Sequence, residues 1–78
     1  MNKLKLKEMN EEQIIYLYQP EGQGEYGEIL YIFSDDSTTI IKKAEDDKYG
    51  RYAHKAELKV KDCVKRNNLP IKCIQAWY

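Results

Sequence analysis

Histidine, tryptophan and phenylalanine occur once each in these 78 residues, and cysteine and proline twice each. Each scarcity excludes a class of chemistry. Cys63 and Cys73 are too few for a disulfide framework and lack the spacing of a zinc site, so each reads as a small buried thiol. His54 falls on the polar side of the helical pattern described below, with no acid or nucleophile at a telling distance. Ser34 and Ser37 lack the sharp strand-to-helix turn that exposes a serine nucleophile, which leaves Ser-His-Asp catalysis without support. Long apolar runs are missing too. The longest are Ile14–Tyr18 and Ile29–Phe33, far short of the ~20 residues that cross a bilayer. The first ten residues carry lysines but no apolar stretch of the secretory kind, so the expected location is cytoplasmic and no membrane contact is predicted. Net charge is absent as well, with 13 Lys and Arg against 13 Asp and Glu.

What remains is the composition of a small globular domain: 42% hydrophobic, one third charged, a mean hydropathy of −0.77 and seven tyrosines. A core of this size seldom supplies more than ~3–5 kcal/mol, so outside support such as self-association is expected.

Residues 12–19, 28–34 and 38–43 are β-branched and aromatic, separated by a Gly- and Pro-containing loop and by Asp35-Asp36-Ser37. They read as three strands joined by hairpins. From about Asp47 the period lengthens. Tyr49, Ala53, Ala56, Val60, Cys63, Val64 and Asn67 fall on one helical face, and Asn67-Asn68 before Leu69-Pro70 ends the helix. Residues 71–77 read as a fourth strand. Residues 1–11 are either a tail or a short extra strand built on Leu4 and Leu6, and 12–78 form one domain. The expected fold is therefore α+β: a mainly antiparallel four-stranded sheet with one helix packed on one face, in the order β-β-β-α-β.

Alternation sorts the strands into an aliphatic parity (Ile15, Leu17, Leu30, Ile32, Ile41, Ile74, Ala76) and a second parity containing Ile14, Tyr16, Tyr18, Tyr31, Phe33, Ile40, Cys73 and Trp77. One helix covers one face only. Tyr16, Tyr18, Tyr31, Phe33 and Trp77 are taken as an interaction face for a second copy, a partner protein or stacked bases. The zero net charge is segregated: +2 over residues 1–9, −7 over 10–50 and +5 over 51–78. Lys55, Lys59 and Arg66 on the basic helix are the candidate nucleic-acid contacts.

Gly22-Gln23-Gly24-Glu25-Tyr26-Gly27 matches G-x-G-x-x-G, but a strand follows where a dinucleotide site needs a helix, and its glutamates repel phosphate. It reads as a hairpin loop. The acids at 35–36 and 45–47 lack the pattern of a calcium loop, and Asp46 or Asp47 reads as a helix cap. No metal, cofactor or catalytic residue is predicted, and the chain reads as a non-enzymatic interaction module that forms a homodimer through a sheet face or edge or meets a partner protein. The alternative is a nucleic-acid-binding regulator using the basic helix and the aromatic face. The strand–helix order, the basic helix and the Asn-Leu-Pro exit resemble the HicB-type antitoxin domain, which implies a partial ribonuclease-H-like fold, a toxin partner and repressor activity. The Pro- and Gly-containing motif usual before that family's helix is replaced here by Glu45-Asp46-Asp47-Lys48-Tyr49-Gly50.

Overall fold

The computed structural model describes residues 1–76. It is α+β, with five strands and one helix in chain order β1 (Asn2–Met9), β2 (Gln13–Pro20), β3 (Gly27–Ile32), β4 (Ser37–Lys42), α1 (Arg51–Lys65) and β5 (Lys72–Gln75). All pairings are antiparallel, and the sheet order is β4-β3-β2-β1-β5.

The first strand corrects the four-stranded expectation. Of the two alternatives for residues 1–11 the strand is the one formed, and it is longer than expected: residues 2–9 make an eight-residue strand between β2 and β5. Lys3, Lys5 and Lys7 occupy every second position of this strand. Its other parity, Asn2 and Leu4, is buried, and a half-buried strand needs only one apolar face. Four strands therefore precede the helix, which also departs from the three in the antitoxin-like order.

Register assigns each side chain to a face. The rows Gln75–Asn2–Pro20, Cys73–Leu4–Tyr18–Gly27, Leu6–Tyr16–Ile29–Ile40 and Met9–Ile14–Tyr31–Thr38 run across one side. Their central members, with Ala53, Ala56 and Val60 of the helix, form the core. Small helix residues let the backbone approach the broad tyrosine rings. Tyr49, expected on this helical face, precedes the helix and is 77% exposed, with the Lys48 ammonium 5.6 Å from its ring centre.

The helix ends are well specified. Asp47, 2% exposed, accepts the Tyr52 and Ala53 amide N–H groups at 3.1 and 2.8 Å, satisfying two of the amides a helix start leaves free. Asn67 adopts φ 54°, and the Asn68 and Asn67 amides donate to the Cys63 and Val64 carbonyls, the double bond of a Schellman stop.

Candidate functional site

The helix lies on the tyrosine-rich face. Tyr16, Tyr18 and Tyr31 are 1, 0 and 3% exposed, so they form the core and offer no docking surface, contrary to the expected interaction face. Parity correctly separates the two faces but does not say which one the helix takes; the alanine stripe answers that by complementarity of volume. Each ring places its hydroxyl on a polar partner. Tyr16 donates to the Pro70 carbonyl at 2.6 Å, Tyr18 to Asp47 at 2.9 Å and Tyr31 to Asp36 at 2.5 Å. Burial, then the nearby Cys63 and Cys73, pushes the Tyr16 hydroxyl up to about 12. The bond to Asp36 leads the rise of Tyr31 to about 12, and burial raises Tyr18 further still. Phe33 is 37% exposed at the sheet end, edge-on to Tyr31. Trp77 lies outside the described residues.

The uncovered side is the aliphatic one. Its rows are Ile74–Lys3–Gln19, Lys72–Lys5–Leu17–Glu28–Lys42, Glu8–Ile15–Leu30–Thr39 and Gln13–Ile32–Ser37. Ile15, Leu17, Leu30 and Ile32 occupy its middle, half-buried by neighbouring side chains alone. Ile41 and Ile74 near its margins are 50 and 60% exposed. Lys7, the extra residue of a bulge in β1, reaches across β2 to Glu28 at 2.6 Å. Five lysines (3, 5, 7, 42 and 72) thus share this side with two glutamates (8 and 28), a surplus of three positive charges.

Three of these lysines converge. Lys3, Lys5 and Lys72, with Tyr26 and Ile74, line a shallow groove of about 560 Å³ at β1 and β5, to which Leu4 and Cys73 of the opposite parity also contribute. Lys5 and Lys72 are direct cross-strand partners. The Leu6 amide donates to the Ile71 carbonyl at 2.7 Å. The alternation of an antiparallel ladder therefore makes the Lys5/Lys72 step the non-hydrogen-bonded kind, with Cα atoms only about 4.5 Å apart. Like charges placed directly opposite destabilise a sheet. Among the described residues no carboxylate lies within ion-pair distance of Lys3, Lys5 or Lys72. The acids of the adjacent loop are directed elsewhere: Glu21 accepts from the Met1 amine and the Tyr52 hydroxyl, and Glu25 lies 4.0 Å from Lys42. Sequence reasoning missed this site because residues 1–11 read as either a tail or a short extra strand with no partner strands assigned, so nothing placed Lys3 and Lys5 beside Lys72.

The other candidates are dispersed. Lys55, Lys59 and Arg66 fall along one stripe of the helix, but Asp62 interrupts it and takes Arg66 at 3.1 Å. His54 is solvent-facing, 4.0 Å from Glu57. The Gly22–Gly27 segment is a hairpin loop, and the Asp46 carboxylate stands 2.6 Å from the point where a Gly24 Cβ would sit, which opposes a phosphate there. Cys63 is buried and Cys73 half-buried, both as free thiols. Burial is the leading cause that raises each, and Cys63 adds to the rise at Cys73. Among the described residues no three His, Cys, Asp or Glu side chains converge as metal ligands, and no helix is long and apolar enough to cross a membrane. Comparison of the chain with protein-family models, curated proteins and solved structures returns no match.

Proposed function

We propose that this protein is a non-enzymatic binding module that docks another protein on its uncovered sheet face. The observation that carries the reading is the aliphatic strip Ile15, Leu17, Leu30 and Ile32, which lies at the centre of a five-stranded sheet on the side away from its one helix. An antiparallel sheet can leave one face to water, and that face is then ordinarily polar. Here the side away from the helix carries four clustered aliphatic groups at its middle, the composition of an interaction surface.

Two alternatives fit less well. A second copy docked face to face would bring two sets of surplus lysines together, which charge repulsion opposes. A single-stranded nucleic acid gains most from aromatic platforms, but the tyrosines that suggested one are under the helix, and among the described residues Tyr26 is the one aromatic lining the groove.

The test is a titration of isotope-labelled protein with an amphipathic peptide that has a leucine stripe and neutral glutamine flanks. Amide shifts should concentrate in β1, β2 and β3 and disappear in Leu17→Ser. Shifts on the outer side of α1, or none, would refute the reading. Light scattering should find a monomer across concentrations; a dimer that Leu17→Ser dissociates would make a second copy the occupant instead.

A further inference from the structure

Resting on that reading, we infer that the segment docked on the open face is acidic as well as amphipathic, and that Lys3, Lys5 and Lys72 receive its carboxylates. Three observations support this, the first two independently of the apolar strip.

The first is energetic. Lys5 and Lys72 face each other at the closest kind of cross-strand step, where an isolated chain gains by separating like charges. One acidic residue at either position would remove the repulsion, and the chain does not supply it. An external carboxylate between the two ammonium groups would turn a repulsive pair into two attractive ones. The second is the local charge inventory. Lys7 is occupied by Glu28, and Lys42 has Glu25 nearby, but the three groove lysines have no carboxylate partner among the described residues. Their charge is available to a ligand without first breaking an ion pair. The third is placement. The apolar strip runs along β2 and β3, and the lysines lie to one side of it along β1 and β5. A segment laid along the strip with its apolar stripe down presents one flank over those lysines. The open face is about 19 Å across its five strands, room for one helix of about 10 Å diameter with that flank over the groove.

The choice of an acidic polypeptide over a nucleic acid follows from the same surface. Both are anionic, but the strip beside the lysines is isoleucine and leucine, which pack against aliphatic side chains, and among the described residues Tyr26 is the single ring at the groove, too few for a run of stacked bases.

The experiment uses the intact protein and three peptides of about 18 residues, long enough for about 27 Å of helix. All share one leucine stripe, with flanks of glutamate, glutamine or lysine. The glutamate peptide should bind about tenfold or more tightly than the glutamine peptide, and the advantage should shrink as salt is added. The lysine peptide should bind weakest. Lys72→Glu and Lys5→Glu should abolish the glutamate preference, while Lys61→Glu on the helix should preserve it. Thermal melting at or above that of the parent would show that the Lys72→Glu protein is folded. Equal affinity for glutamate and glutamine peptides, or an undiminished preference in Lys72→Glu, overturns this inference and leaves the docking reading standing. Failure of every peptide to bind overturns both. A single-stranded oligonucleotide that binds more tightly than the glutamate peptide, and loses its affinity in the same variants, assigns the lysines to nucleic acid and overturns the inference.

Discussion

Asp47 carries more of the fold than any other single charged side chain. Its carboxylate accepts from Tyr18 and from two helix amides, and the Tyr18 hydroxyl in turn accepts the Ala44 amide at 2.9 Å. One buried group therefore joins the sheet, the β4–α1 connection and the helix start. Asp47→Ala would leave several buried donors without acceptors. It should cost about 2–4 kcal/mol, most of what a domain of this size has, read as a fall in the denaturant midpoint. Asp47→Asn keeps an acceptor oxygen and should cost less. The tyrosine hydroxyls set the pH response. Tyr16, Tyr18 and Tyr31 all titrate higher when folded than the ordinary value of 10.0. Their contribution is complete below pH 10 and is lost as pH climbs through the folded values, about 12 for Tyr16 and Tyr31 and higher for Tyr18. The melting temperature should fall steeply over that interval, in step with the growth of the tyrosinate absorbance band. A melting temperature that holds steady to pH 12 would contradict the burial of these hydroxyls. Gly27 is a further requirement, since an added Cβ would overlap the Tyr18 ring and lie 2.7 Å from the Ala44 nitrogen. Gly27→Ala should destabilise by about 1–3 kcal/mol through overpacking.

At the scale of elements, the sheet and the helix divide the work. The helix contributes a narrow stripe of Ala53, Ala56, Val60 and Cys63, which leaves volume for three tyrosines. Ala56→Leu should therefore cost about 1–3 kcal/mol, since extra methylenes have nowhere to go; a neutral result in chemical denaturation would mean the helix stands farther from the sheet. Strand β1 has the opposite character, with a buried parity facing the helix and a lysine parity facing out. Converting the Lys5/Lys72 pair to unlike charges by Lys72→Glu should raise stability by about 0.2–1 kcal/mol. The same change is expected to weaken docking, so the parent sequence would retain a less stable arrangement where binding needs it. Edge strand β4 is mostly exposed, with a bulge opposite Glu28 and Ile29, a device that discourages pairing with another edge.

For the molecule as a whole, the two sides of the sheet are chemically unlike: one closed by a helix over tyrosines, the other open, aliphatic and positively charged. The acids that balance the charge lie mainly in the connecting segments at both ends of the strands. Neutrality is thus a property of the total and not of any one surface, which is why a net charge of zero is compatible with a lysine-rich face. Both cysteines lie on the helix side of the sheet, with thiols pushed up by burial. Alkylation of the native protein should be slow at Cys63 and should accelerate on adding denaturant; rapid native labelling there would show that the helix opens readily from the sheet.

The fold was legible wherever local chemistry and periodicity agree. Strands β2, β3 and β4, the helix, its Asn67-Asn68 stop and the capping role of Asp47 follow from alternation, three-and-four spacing and hydrogen-bonding capacity, all of which act over a few residues. The two parities of the sheet were legible for the same reason. Tertiary structure alone decided which parity the helix would cover, because that depends on the fit of a small-residue stripe to broad rings contributed by strands distant in sequence. It alone made residues 2–9 an internal strand, since a lysine-rich segment becomes one only when its neighbours supply both ladders. And it alone made a site of Lys3, Lys5 and Lys72, because strand register brings together charges nearly seventy residues apart that no local pattern can connect.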